Sequence, residues 1–164
     1  MGALSVTANA ATDKTFISIP QAVNPQQQAT VKLVEAYYNA INQKNMDLLY
    51  SLLANNVIHD INQGDTEQGL NKFKAFMEAG NNSFDEKLNN IVIMTSQDGT
   101  YAAARWIDHG IYYKTEPGLG VDAKNQHYTL TGGHFFEIRN GKIDRVTTYY
   151  NATDFMRQIK QTNS

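Results

Sequence analysis

The chain has 164 residues, with 14 Lys and Arg against 16 Asp and Glu, a formal net charge of −2, and no cysteine. Its length fits one domain, and it lacks the basic excess of a phosphate-tracking surface, so no nucleic-acid partner is expected. Without cysteine there are no disulfides, no thiolate catalysis and no Cys-ligated zinc, and no apolar run approaches the roughly 18 residues of a membrane span.

Residues 1–24 are expected to form a flexible leader. Ala8-Asn9-Ala10 has the small-residue pattern of a signal-peptidase site, but a basic n-region and an adequate apolar run are missing. A cytoplasmic location is therefore expected, with a truncated export signal as the other reading. Residues 25–161 are expected to form a single domain.

Asn24-Pro25 opens the first helix, Asn as N-cap and Pro at the first helical position, where its missing N–H costs nothing. To about Gln43, this helix puts Val31, Val34, Tyr37, Tyr38 and Ile41 on one stripe. Asn45 caps a second, shorter helix. The run Val57-Ile58-His59-Asp60-Ile61-Asn62 is β-like and stops at Gln63-Gly64. Asp65 with Gln68 has the form of a capping box for a third helix, whose apolar side is Leu70, Phe73, Phe76 and Met77.

After Gly80 the apolar period changes from helical to two. Strands are predicted over Lys87–Ser96, Tyr101–Lys114, Gln126–Arg139 and Lys142–Tyr150, with a longer loop at 116–124 and a last short helix at 152–161. Helices first and a mostly antiparallel meander after is an α+β order.

Asn140-Gly141 joins the last two strands, and a two-residue type I′ turn needs positive φ at both centres. Counting outward sets Ile138 against Ile143, Phe136 against Arg145, His134 against Thr147 and Gly132 against Tyr149. The other face would set Glu137 against Asp144 and Arg139 against Lys142, like charges that repel unless solvated. The Phe136 face is thus the inner one, and it carries His134 among apolar neighbours.

Val34 to Asn42, Leu52 to Gly64, Ala104-Arg105-Trp106 with Gly110, and the hairpin from Phe135 to Tyr150 together resemble the nuclear transport factor 2-like superfamily. The likeness is to its SnoaL-like and ketosteroid-isomerase-related members and spans about residues 25–160. It implies a cone-shaped (cystatin-like) α+β barrel, with three N-terminal helices on a curved, mostly antiparallel sheet and a short C-terminal helix. It also implies a deep apolar pocket and a homodimer formed through the sheet. The superfamily holds isomerases, cyclases, dehydratases, epoxide hydrolases and passive binders, so fold alone does not choose a reaction.

Tyr37 lies on the buried stripe, where a core tyrosine bonds a backbone carbonyl; the isomerase resemblance implies instead that it donates to a substrate oxyanion. His134 takes the place of the isomerases' protonated acid, and a neutral imidazole can donate there as well. The pair His59-Asp60 is open. A bulge before Gly64 turns Asp60 inward as a base with raised basicity; without it His59 and Ile61 point in. Two faces also compete between Arg105 and Tyr112. Trp106, Asp108 and Tyr112 make an aromatic wall with a carboxylate, or Arg105 and His109 point in, as the epoxide-hydrolase resemblance implies. Phe136 and Tyr149 would hold a ring. His59, His109 and His134 lack close ligand spacing, so no metal is expected, and no phosphate-cradling loop or other cofactor signature is present. His127 reads as an exposed polar residue.

These residues point to a cofactor-independent acid–base enzyme of isomerase, cyclase or dehydratase type, acting on a small hydrophobic cyclic substrate. Asp60 or His59 would move the proton, while Tyr37 and His134 would donate to the oxygen that gains charge. The alternative is a non-catalytic dimeric module that binds a small molecule or a protein.

Overall fold

The computed structural model describes residues 16–19 and 24–161. The first strand, β1 (Phe16–Ile19), is followed by α1 (Pro25–Asn42), α2 (Met46–Ser51), β2 (Leu53–Ile61), β3 (Thr66–Gln68) and α3 (Leu70–Ser83). Four long strands then carry the chain to its last helix: β4 (Phe84–Thr95), β5 (Tyr101–Tyr112), β6 (Gln126–Arg139), β7 (Lys142–Tyr150) and α4 (Ala152–Lys160). One sheet of seven strands runs in the order β1-β4-β5-β6-β7-β2-β3. β4 to β7 are antiparallel neighbours, while β2 joins β7 and β1 joins β4 in parallel. The four helices cover this curved α+β sheet in the cone arrangement of the nuclear transport factor 2-like fold.

The helix starts follow from local chemistry. Asn24 accepts the Gln27 N–H at 2.8 Å and Pro25 follows it, while Asn45 and Asn151 cap α2 and α4 in the same way. Val31, Val34, Tyr37, Tyr38 and Ile41 are buried on the α1 face that meets the sheet. Each such side chain contributes roughly 1.5–3 kcal/mol by leaving water. Asn42 fixes the helix to β4 by bonding both the N–H and the carbonyl of Leu88 at 2.8 Å.

Three local expectations are corrected. Phe16–Ile19, inside the stretch expected as a leader, is a strand beside β4; Ala8-Asn9-Ala10 lies outside the described residues. Asp65 and Gln68 form no capping box, because Asn62 and Gln63 both take positive φ (44° and 65°) and fold the chain back into β3. α3 starts instead after Gly69 with no side-chain cap. Third, the Asn140-Gly141 turn has the expected positive φ at both residues, but the strands slip by one between Glu137 and Ile138. Beyond the slip Glu137 faces Arg145, Phe136 faces Val146, His134 faces Thr148 and Gly133 faces Tyr149. An extra residue on one strand resolves the predicted clash of like charges: Arg145 comes to Glu137 at 3.3 Å, and Asp144 turns to Arg139 at 3.6 Å.

Two glycines let large rings lie flat on the inner face. A Cβ on Gly132 would stand 2.2 Å from the Trp106 ring, and one on Gly110 would stand 2.0 Å from the Tyr128 ring. Each glycine sits directly across from the aromatic residue it admits. No helix among the described residues is long and apolar enough to cross a membrane.

Candidate functional site

Between α1, α3 and the concave face of the sheet lies a cavity of about 330 Å³. Phe73, Phe76, Met77, Leu88, Leu130 and Phe155 supply much of its apolar wall, and Glu116 and Leu119 reach it from the loop after β5. The predicted residues that line it are Tyr37, His59, Trp106, Asp108 and His134.

His134 is 8 % exposed, and its Nδ1 lies 2.7 Å from the Tyr38 hydroxyl and 3.1 Å from Trp106 Nε1. An indole N–H can only donate, so Nδ1 must hold its lone pair. The Tyr38 hydroxyl then donates to the same nitrogen, and the proton of the neutral ring sits on Nε2. Burial, assisted by the neighbouring His59, pushes the His134 pKa down to about 3, so the ring stays neutral through the physiological range. With Nδ1 occupied, Nε2–H is the donor the ring has left.

Tyr37 is 2 % exposed, and burial alone raises its pKa. Its hydroxyl therefore stays a protonated donor. Its ring packs edge-on against Phe136 at 5.3 Å and His134 at 6.0 Å. Phe136 is fully buried behind these rings and does not itself line the cavity.

The early strand settles which of its pair points in. His59 stands beside the buried Val146 of β7, whereas Asp60 stands beside Thr147 on the outer face. The irregularity in this ladder lies between Leu53 and Ile58, well before Gly64, so the bulge that would turn Asp60 inward does not form. Asp60 instead accepts Thr147 at 2.6 Å, Thr66 at 2.8 Å and Arg145 at 2.9 Å. Partial burial works against its charge, but these hydrogen bonds outweigh it and hold the carboxyl below its usual range. His59 rests against Phe73 and Phe76, and its buried Nδ1 has no hydrogen-bond partner among the described residues. Burial lowers its pKa to about 4 against a smaller opposing pull from Asp60.

On β5 the Trp106 face is the inner one. Arg105 and His109 are exposed on the other side, where His109 meets Thr129 at 3.2 Å, so neither reaches the cavity. His59, His109 and His134 therefore do not gather around one point. Tyr112 faces inward but serves the wall: it stacks on Phe84 at 4.9 Å, donates to the Val121 carbonyl and accepts the Glu116 N–H. Tyr149 is turned outward, 39 % exposed against Phe135, because the one-residue slip reverses its side; Tyr150 lines the cavity in its stead. His127 is exposed.

The prominent carboxyl of the cavity is Asp108. It is 4 % exposed, and its Oδ1 has no hydrogen-bond partner among the described residues. Burial, and then the charge of Glu86, pushes its pKa up to about 8 against weaker pulls from the Lys87 N–H, Lys44 and Tyr128. Glu86, which no sequence pattern singled out, lines the same wall and accepts the Tyr128 hydroxyl at 2.8 Å; burial raises its pKa too. The available signal was Gly110, which stands opposite both Glu86 and Tyr128 and marks the place where a large side chain crosses the inner face.

The cavity thus holds proton donors fixed at neutral pH and a carboxyl that exchanges its proton near pH 8. A family model of SnoaL-like polyketide cyclases matches residues 31–159. Among solved structures, a proposed polyketide cyclase from Pseudomonas putida KT2440 is 45% identical, covers 79% of this chain and 97% of its own, and superposes with a TM-score of 0.77. Another from Xanthomonas campestris pv. campestris is 41% identical over 82% of this chain and 98% of its own, with a TM-score of 0.79. A third from Silicibacter sp. TM1040 is 36% identical over 84% and 100%, with a TM-score of 0.78. No curated protein matches the chain. By sequence and by fold, the chain belongs to the SnoaL-like polyketide cyclase family of the nuclear transport factor 2-like superfamily.

Proposed function

We propose that the protein is a cofactor-independent acid–base enzyme of isomerase, cyclase or dehydratase type, acting on a small hydrophobic cyclic molecule held in this cavity. The observation that carries the reading is one apolar cavity holding a carboxyl whose pKa is pushed up to about 8 and an imidazole pushed down to about 3. Groups whose environments drive their pKa values apart take different roles at one pH. Asp108 moves the proton, because a group titrating near the working pH gives the best compromise between availability and driving force. His134 Nε2–H and the Tyr37 hydroxyl donate to the substrate oxygen that gains charge. His59 is the second imidazole at hand for proton exchange.

A thermal-shift screen of steroids, polyketide-like aromatics and terpenoids selects substrates, since a ligand of the folded state raises its melting temperature. With a hit in hand, D108N and H134Q should each lower kcat by about 100-fold or more while the hit still binds. Unchanged turnover in both variants refutes the reading. The alternative, a passive binding module, draws on the outward turn of Asp60, which leaves the early strand without a carboxylate in the cavity. Binding without turnover across the screen would decide for it.

The outer face of the sheet exposes Met94, Tyr101, Phe135 and Tyr149. We infer that a second copy of the chain covers this face to form a homodimer.

A further inference from the structure

The charged groups of the cavity wall are one-sided. Glu86, Asp108 and Glu116 line it, and among the described residues no Lys or Arg side chain does. Its two imidazoles, His59 and His134, are neutral at physiological pH. Glu116 is engaged by Ser83 at 3.2 Å, and Glu86 by Tyr128. Asp108, deeply buried in the wall of this space, is pulled on by the Lys87 N–H and the Tyr128 hydroxyl, while its Oδ1 has no hydrogen-bond partner among the described residues. The cation whose charge reaches the pair, Lys44, is held by Asn81 at 3.1 Å and Asp85 at 3.7 Å.

A carboxylate taken out of water costs several kcal/mol unless a cation and hydrogen-bond donors answer it. The charge of Glu86 works against ionisation of Asp108, and neither carboxyl has an ion-pair partner among the described residues. The missing partner must bring positive charge and N–H donors into apolar surroundings. Phe84, Trp106 and Tyr150 line the same space, and an aromatic ring attracts a cation placed over its face. A carboxylate or phosphate ligand would meet three acidic groups with no compensating charge.

We propose that the cavity takes a small ring compound carrying a protonated amine, with the nitrogen seated between Glu86 and Asp108 and the ring against Trp106. This rests on the cavity being the working site, as the acid–base reading holds, and specifies the class of molecule that enters it. The two roles are compatible, because one negative charge balances the ammonium while the other carboxyl keeps a proton to move. The groups that bear on the pair are Tyr128 from β6, Tyr150 from β7, Glu116 from the loop, and Lys44 and Asp85 at the rim.

The test is calorimetric titration of the intact protein with three matched probes: 2-naphthylmethylamine, 2-naphthylmethanol and 2-naphthoate. At neutral pH the amine should bind about tenfold or more tightly than the alcohol, and the naphthoate should not bind at about millimolar concentration. The amine's advantage should shrink as the pH is lowered, because protonating the carboxyls removes the charge that answers the ammonium, while alcohol binding stays level. In E86Q/D108N the amine and the alcohol should bind alike, with the alcohol's affinity retained as the control for folding; if that variant does not fold, the pH series on the unaltered protein decides. Equal binding of amine and alcohol at neutral pH, an amine preference that does not shrink as the pH falls, or no amine binding at all overturns the proposal. Turnover of a neutral substrate without amine preference would remove this inference and leave the acid–base reading standing.

Discussion

Tyr38 and Trp106 together decide which nitrogen of His134 carries the proton, so neither needs to touch a ligand to matter. Replacing Tyr38 by Phe leaves Trp106 as the donor to Nδ1 and should cost about 1 kcal/mol in chemical denaturation. Asp108 gives a pH signature. Its carboxyl is raised in the folded state, from the ordinary 3.8 to about 8, so between these values the folded chain binds more protons than the unfolded one and stability falls as pH rises. D108N should remove that loss and melt higher than the parent at pH 9, by about 1–2 kcal/mol in stability, with a smaller gap at pH 5. His59 and His134, depressed to about 4 and about 3, act oppositely: their contribution is complete above about pH 6.5 and drains away as pH falls toward those values. Asp60, turned outward, should behave as a strut. D60N should cost about 0.5–1 kcal/mol, as befits a partly exposed ion pair, and leave kcat unchanged. His134 was legible in the sequence because the alternation of β6 holds from the turn outward. Asp108 was legible only as one of two open choices, since the two faces of β5 carry comparable mixtures of polar and apolar residues, and only packing against Tyr128 and Gly132 selects between them.

At β6 and β7, one inserted residue changes which side chains a ligand can meet. The turn and both strand limits followed from Asn140-Gly141 and the flanking alternation, but the slip is set by where Arg145 finds Glu137 and Asp60 together, and those partners lie on different strands. Long-range pairing of this kind leaves no local trace, which is why Tyr149 was expected inside and Tyr150 stands there. The same holds for Asp65 and Gln68: their spacing suits a helix start, yet pairing with β2 draws the neighbouring residues into β3. The glycine at position 132 tests how closely the inner face is fitted. G132A pushes a methyl group into the Trp106 ring and the Tyr149 carbonyl, and should cost about 2–3 kcal/mol with loss of ligand binding. Thermal unfolding by circular dichroism checks it.

Across the molecule, the α+β class and the four long strands could be read from periodicity, because those signals repeat over nine or more residues. The parallel joins of β1 and β2 could not, since each depends on a partner far along the chain. The exposed rings on the convex side carry the assembly prediction. Sedimentation velocity should give a dimer, and F135E should convert it to monomer with the melting temperature of the monomeric fold retained.

Trp106 is the single tryptophan of the chain, and its indole nitrogen is tied to an imidazole that lines the cavity with it. Its fluorescence therefore comes from one place, and any molecule that draws on His134 or leans on the indole must alter the emission colour or intensity. The protein carries its own dye at the spot where occupancy matters, so entry, exit and protonation there can be followed in real time without attaching a label.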